Sequence, residues 1–95
     1  MPSRLEKEEE AEVGKWCKQM GILFIKFTPR GERGWPDRIC IFPNGQHVWL
    51  EMKRLGKKPN KLQLYRARQI KENKGEAIWA DSAQSAIDKL TWYLL

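Results

Sequence analysis

The chain has few of the features that mark secreted, membrane-spanning or zinc-binding proteins. Among its 95 residues are two cysteines and one histidine, and no Cys/His pair has zinc-finger spacing. Cys17 and Cys40 each lie in an apolar pattern, which predicts buried free thiols in a reducing compartment. No apolar run is long enough to span a bilayer, and the charged N-terminus lacks the apolar stretch of a signal peptide. These absences favour a soluble, cytoplasmic protein.

What the chain has in excess is positive charge. It carries 18 lysines and arginines against 12 acidic residues, for a formal net charge of +6. This balance favours a polyanionic partner such as a nucleic acid. A length of 95 residues and a hydrophobic fraction of 41% suit one domain, residues 1–95, with a thin core.

The middle of the chain predicts a hairpin that brings charged groups together. Apolar segments 38–42 and 48–53 flank an Asn-Gly pair, which is a strong hairpin signal. Asp37 precedes the first strand, while Glu51 and Lys53 share one face of the second, because side chains alternate across a strand. Pairing of the strands can bring Asp37 near Glu51. Two close carboxylates repel unless a cation lies between them, and hard divalent cations prefer oxygen ligands.

Segments on either side of this hairpin predict further helices and strands. Residues 4–20 carry a helical apolar stripe that Gly21 can end. Residues 22–28 are apolar on both faces, which predicts a central strand. Residues 76–81 form another apolar segment, and Ser82 is placed to cap a last helix.

A basic segment and a helix follow the hairpin. Asn60 is a good N-cap for a helix to about residue 74, with Leu62, Tyr65 and Ile70 predicted to face the core. Between residues 53 and 68 there are seven basic side chains and no acidic one. The complete predicted order is α-β-β-β-α-β-α.

Three segments together resemble one nuclease family. They are Gly34-Trp35-Pro36-Asp37, the Glu51-x-Lys53 pair, and Pro59-Asn60-Lys61-Leu62-Gln63. In this combination the chain resembles the VRR-NUC family of virus-type replication-repair nucleases, within the PD-(D/E)XK superfamily, over about residues 8–81. The resemblance implies a restriction-endonuclease-like α/β fold, in which a mixed four-stranded sheet is flanked by helices. The predicted order of helices and strands, α-β-β-β-α-β-α, agrees with this fold.

The resemblance also implies an active site that uses Mg²⁺ or Mn²⁺ to hydrolyse DNA. The carboxylates of Asp37 and Glu51 and the backbone carbonyl of Met52 would be the protein ligands. Lys53 would orient the attacking water and offset charge on the phosphate. Gln63 would lie near the catalytic lysine and the substrate, although an exposed polar helix residue is an equally good interpretation.

A glutamate of the first helix completes the implied site. In the superfamily a helical Glu-x-x-[Leu/Val] precedes a helix-ending glycine, and the glutamate reaches the metal site through water. Glu10 fits this pattern, since it lies three residues before Val13 and eleven before Gly21. Glu6 and Glu9 are register alternatives, and the other glutamates suit a solvated helix face.

Basic residues on either side of the hairpin are candidate DNA contacts. The loop at 29–35 combines glycines with arginines, which suits close approach to phosphates, but an ordinary glycine-rich connection fits equally well. His47 lies at the far end of the hairpin from Asp37 and is not expected to be catalytic. The DNA-binding candidates are Arg30, Arg33, Arg54, Lys57, Lys58 and Lys61.

Three functions remain open at this point. The resemblance implies a homodimeric endonuclease, acting on branched DNA or Holliday junctions in phage replication, recombination or repair inside a host cell. A non-catalytic DNA-binding protein on the same fold is the alternative. A third hypothesis is a protein-interaction adaptor that uses the apolar C-terminal residues Trp92, Tyr93 and Leu95, which otherwise require cover from the core or from a second copy.

Overall fold

The elements of the fold follow in the order that the sequence predicts. In the computed structural model, the backbone is described from residue 4 to residue 95 and the side chains from residue 6 onward. None of the described helices is both long and apolar enough to cross a membrane. The elements are α1 (Arg4–Gln19), β1 (Leu23–Lys26), β2 (Arg38–Ile41), β3 (His47–Met52), α2 (Lys61–Glu72), β4 (Glu76–Ala80), α3 (Ala83–Thr91) and a final 3₁₀ turn, Trp92–Leu94.

The four strands form one mixed sheet in the order β1-β2-β3-β4. The first three strands pair antiparallel, whereas β4 lies parallel to β3 because α2 carries the chain back across the sheet. In the predicted β2–β3 hairpin Arg38 pairs with Leu50, so Asp37 is brought opposite Glu51. The C-terminal ends of β1 and β3 and the start of β2 therefore lie side by side. We call this end of the sheet, where these strands terminate, the site edge.

The two faces of the sheet have different cover. The main core joins α1 and α3 to one face, and α2 lies on the other, which carries Trp49 and Glu51. Both cysteines are buried and free, as predicted. The fully buried members with the largest side chains are Leu50, Met52, Leu90, Val13, Val48, Cys17 and Cys40.

Side-chain caps fix the starts of α2 and α3. Asn60 accepts a hydrogen bond from the backbone N–H of Gln63, and the Gln63 side chain accepts one from the backbone N–H of Asn60. This capping box begins α2 where the sequence predicts. Ser82 caps α3 through the N–H of Ser85, and Glu9 of α1 accepts a hydrogen bond from the N–H of Ala83. Glu9 therefore ties α1 to the start of α3.

The prediction that residues 22–28 form a central strand was wrong. β1 is an edge strand, and Leu23 is 59% exposed. Leu23 and Ile25 lie on the face that carries Trp49, where α2 packs against β4 rather than over β1. Apolar residues on both faces therefore did not indicate burial on both faces.

The predicted inward face of α2 was also wrong in part. Ile70 is buried, but Leu62 and Tyr65 are exposed at 41% and 45%. Leu62 packs instead against the loop at Gly34, outside the main core. At the C-terminus Trp92 and Leu95 are exposed.

Candidate active site

Asp37, Glu51 and Lys53 meet at the site edge. Asp37 immediately precedes β2, while Lys53 immediately follows β3. The Lys53 ammonium nitrogen lies 3.8 Å from Oε2 of Glu51. The Lys53 backbone N–H donates to the carbonyl of Ala80 at 2.7 Å, which extends the β3–β4 pairing to the lysine. The sheet thus fixes the backbone from which all three side chains project.

Glu51 is a buried acid with an unusual environment. It is 8% exposed, and within the described part of the chain its Oε1 is buried without a hydrogen-bond partner. Burial and then the negative charge of Asp37 raise the pKa of Glu51 to about 7, while Lys53 and the backbone N–H of Asp37 oppose the shift. Glu6 adds a smaller repulsion in the same direction as Asp37. A neighbouring cation would relieve both effects.

The second carboxylate shares this environment. Burial raises the pKa of Asp37 above its usual range, and the charge of Glu10 adds to the shift. Lys26, Lys53 and Arg38 act in the opposite direction. Mutual repulsion between partly buried carboxylates is typical of functional sites, including those in which two acids share one cation.

Gln63 connects the start of α2 to the buried acid. Its carbonyl oxygen completes the capping box with Asn60, and its amide nitrogen lies 3.5 Å from Oε2 of Glu51. The cap orients the amide so that its NH₂ group is directed at the carboxylate. Gln63 is therefore beside the predicted site, and its catalytic role stays a prediction.

The three candidate glutamates of α1 have different surroundings. Glu10 accepts hydrogen bonds from Arg38, the shorter at 2.8 Å. Glu9 caps α3. The negative charge of Glu6 contributes to the raised pKa of Glu51, whereas that of Glu10 contributes to the raised pKa of Asp37. The structure thus brings Glu6 and Glu10 within electrostatic range of the two carboxylates, and the assignment of Glu10 stays a prediction.

The loop between β1 and Asp37 is held by α2. Gly34 has a φ of +86° and lies against Leu62. One turn further along α2, Nε of Arg66 donates to the carbonyl of Arg33 at 2.9 Å, and its guanidinium lies 4.5 Å from the ring centre of Trp35. Arg66 was not among the site residues predicted from the sequence; its spacing of four from Leu62 was the available signal.

The predicted DNA contacts all lie on the surface. Arg30, Arg33, Arg54, Lys57, Lys58 and Lys61 are exposed. No ion pair of these six side chains occurs within the described residues, so their charges are available to a ligand. His47 lies at the opposite end of the hairpin from Asp37, where its Nδ1 is 2.9 Å from the carbonyl oxygen of Gly45.

The donor set fits a hard divalent cation that keeps part of its hydration shell. Among the described residues, no group of three or more His, Cys, Asp or Glu side chains is arranged to hold a metal. The two carboxylates form a smaller oxygen set, which suits Mg²⁺ because Mg²⁺ retains several waters. The buried, unpartnered Oε1 of Glu51 supports this interpretation. The carbonyl of Met52, the residue after Glu51, stays the predicted third ligand.

Comparison with solved structures identifies the fold. A structure named "VRR_NUC domain" superposes with a TM-score of 0.86 at 22% identity, covering 98% of this chain and all of that one. The chain has the VRR-NUC fold. A second structure, "VRR_NUC domain protein", has a TM-score of 0.74 at 17% identity and covers 98% of this chain and 90% of the other. The fold implied by the sequence resemblance is therefore confirmed.

Sequence comparison gives one further relative of this VRR-NUC-fold chain. "Putative nuclease p44" of Acyrthosiphon pisum secondary endosymbiont phage 1 is 40% identical over 60 residues, which make up 63% of this chain. The chain spans 60% of the length of that curated relative. No protein-family model matches the chain.

Proposed function

We propose that the protein is a metal-dependent endonuclease that hydrolyses DNA phosphodiester bonds with Mg²⁺ or Mn²⁺. The observation that carries the proposal is the buried carboxylate of Glu51, with one unpartnered oxygen, beside Asp37 and 3.8 Å from the Lys53 ammonium. A structural ion pair would leave neither a buried oxygen unsatisfied nor a second acid adjacent. The fold and the phage relative named as a nuclease support the same reaction.

The chain's own residues would divide the work as follows. Asp37, Glu51 and the Met52 carbonyl hold the cation, which when bound supplies Lewis acidity and activates water. Lys53 donates hydrogen bonds to the attacking water and to a non-bridging phosphate oxygen, whose negative charge grows in the transition state. Gln63 keeps Glu51 oriented through its amide. The water oxygen would bond to phosphorus as the bond between phosphorus and the leaving oxygen breaks. The water would lose one proton to solvent, and the leaving oxygen would take up one proton from solvent.

Cleavage of labelled DNA tests this proposal. The wild-type protein should nick a four-way junction in Mg²⁺ or Mn²⁺ and not in EDTA, whereas Asp37→Ala and Glu51→Ala should not nick it in either metal. Glu72→Ala is the matched control, because it removes an exposed acidic side chain of α2 outside the carboxylate cluster. Wild-type protein that binds the junction but cuts no DNA in either metal would refute the proposed activity.

The helical acid of the site can be assigned by the same assay. Glu10 is the prediction from the sequence, while Glu6 is favoured by its electrostatic effect on Glu51. Glu6→Gln and Glu10→Gln each remove one charge with little change in shape. The variant that raises the metal concentration needed for half-maximal cleavage identifies the acid, provided that its DNA affinity is unchanged.

We further propose a homodimer that acts on branched DNA. Two active sites related by a two-fold axis suit two symmetric nicks across a junction. The exposed Trp92 and Leu95 are a candidate contact between copies. Light scattering of the intact protein tests the dimer, and a monomer at working concentration would exclude the symmetric mechanism. Trp92→Ser and Leu95→Ser, which leave the buried Leu90 in place, then test whether these exposed side chains carry the contact.

Non-catalytic DNA binding is the second candidate function. The six exposed cations, which form no ion pair within the described part of the chain, favour it, since they provide phosphate contacts whether or not cleavage occurs. Under this hypothesis Asp37→Asn leaves the biological function unchanged or strengthens DNA binding. Loss of cleavage in that variant, with binding retained, would instead support the enzyme.

A further inference from the structure

A hydrogen-bonded turn lies directly after the proposed catalytic lysine. The backbone N–H of Lys57 donates to the carbonyl of Arg54 at 2.9 Å, which closes a four-residue β-turn. Gly56, the third residue of the turn, has a φ of +81°, as a type II turn requires. The N–H of Gly56 also donates to Asp81 at 3.2 Å, which anchors the turn to the end of β4.

The second residue of this turn, Leu55, is not part of the hydrophobic core. Leu55 is 75% exposed, although leucine is among the residues most often buried. Its neighbours in the loop, Arg54, Lys57 and Lys58, are all exposed cations. An apolar side chain is thus held out into solvent by an anchored turn, inside the most basic part of the chain.

The position of Leu55 limits what it can contact. It lies two residues after Lys53, so the two Cα atoms are at most about 7 Å apart. Successive base pairs are about 3.4 Å apart along a DNA strand. This distance is comparable with one or two base steps, so Leu55 is near enough to Lys53 to contact a base beside a phosphate bound there.

We propose that Leu55 is a wedge that packs against unstacked bases next to the cleaved phosphate, and so favours branched DNA over regular duplex. The inference rests on the proposed function, because it takes Lys53 to mark the phosphate. Apolar side chains inserted at a base step unstack it, and unstacking costs least where stacking is already interrupted. A branch point offers such bases; an intact duplex does not.

Fluorescence of 2-aminopurine tests the wedge without requiring cleavage. The base is placed beside the branch of a four-way junction, and in a linear duplex of the same sequence, with EDTA present. Wild-type protein should increase the fluorescence of the junction and should bind it more tightly than the duplex. Leu55→Ser should abolish the increase and weaken junction binding about tenfold, as expected for loss of a leucine contact, with little change for the duplex.

Two further variants sharpen the test. Leu55→Phe keeps an apolar side chain on the turn and should retain both the fluorescence increase and the preference for the junction. Leu23→Ser is the matched control. It removes another exposed leucine, the first residue of β1, at the opposite end of the strand from the site edge, and should behave as wild type. Equal melting temperatures show that all three variants are folded.

The outcomes separate the wedge from the nuclease. Leu55→Ser with unchanged fluorescence and unchanged junction preference overturns the wedge, even if the wild-type protein cuts DNA. A wild-type protein that produces the fluorescence change but never cleaves in Mg²⁺ or Mn²⁺ supports the wedge and refutes the proposed activity. A wild type that produces no fluorescence change on the bound junction also overturns the wedge.

Discussion

Gly34 lies so close to Leu62 that a β-carbon on the glycine would be 2.5 Å from Cγ of the leucine. The loop before Asp37 therefore meets α2 at a position with no room for a side chain. In the first turn of the same helix, the side-chain amide of Gln63 is directed at Glu51. The Gly34–Leu62 contact therefore packs the loop that leads to Asp37 against α2, the helix whose Gln63 contacts Glu51.

Gly34→Ala should destabilise the protein by about 2–3 kcal/mol, since it adds steric overlap to the strain of a left-handed backbone conformation. Gly31→Ala is the matched control, because Gly31 has a φ of +74° and a β-carbon added there would meet no atom within 4 Å. It should cost only the conformational part, about 1 kcal/mol. Urea denaturation gives both values, and equal losses for the two variants would contradict the close-packing argument.

The raised pKa of Glu51 predicts a pH-dependent stability. In EDTA the native state holds this proton to about pH 7, whereas the unfolded state releases it near pH 4.5. The native state thus binds more protons between these values, so the free energy of unfolding should fall as pH rises through this window, by about 3 kcal/mol in all. Glu51→Gln should remove this component.

The comparison is made by urea denaturation from pH 4 to pH 8. Above pH 7 Glu51→Gln should be more stable than the wild type, and the two should converge toward pH 4. Glu72→Gln, at an exposed position of α2, should follow the wild-type profile. Parallel curves for wild type and Glu51→Gln would show that the buried carboxylate carries no such penalty.

Divalent cations should stabilise the folded protein. A ligand that binds only the native state raises its stability by about 2.7 kcal/mol at one hundred times its dissociation constant. Mn²⁺ should therefore raise the melting temperature of the wild type at pH 8, and the increase should be lost in Asp37→Asn. The increase should also weaken as the pH falls below 7, because protons compete for Glu51. An equal increase in wild type and Asp37→Asn would place the ion elsewhere.

Lys53→Ala should reduce the cleavage rate by about 10²–10³-fold while leaving DNA affinity within a few-fold, because its proposed interaction strengthens in the transition state. Lys58→Ala should instead weaken DNA binding and leave the single-turnover cleavage rate of bound DNA nearly unchanged. The slope of log affinity against log salt concentration should fall by about 1, as expected for the loss of one phosphate contact. Single-turnover cleavage and binding measured at several salt concentrations separate the two. A Lys53→Ala variant that cuts at the wild-type rate would exclude its catalytic role.

Local signals in the sequence predict the elements of the fold well. The Asn-Gly turn predicts the β2–β3 hairpin, and Asn60 and Ser82 predict the starts of α2 and α3, because each acts through its nearest neighbours. The pairing of Asp37 with Glu51 follows from the same hairpin. Met52 and Lys53 are then placed by the continuation of β3.

Features that depend on distant packing could not be read in this way. Leu23 has the residue type of a core position but lies on an edge strand, because α2 does not cover that part of the sheet. Glu6, Glu9 and Glu10 lie within little more than one helical turn, and only the positions of Arg38, Ala83 and Glu51 distinguish them. The use of Arg66 to hold the loop at Arg33 likewise depends on how α2 docks.

The Asn44-Gly45 turn joins β2 and β3 at the end of the sheet farthest from the carboxylates. Both residues are exposed, and a β-carbon added at Gly45 would meet no atom within 4 Å. A fluorophore attached through a cysteine at the exposed position 43, beside this turn, would report on the tumbling and encounters of individual molecules at a distance from the carboxylates. The hairpin that places Asp37 opposite Glu51 thus also carries, at its other end, a position for single-molecule labelling.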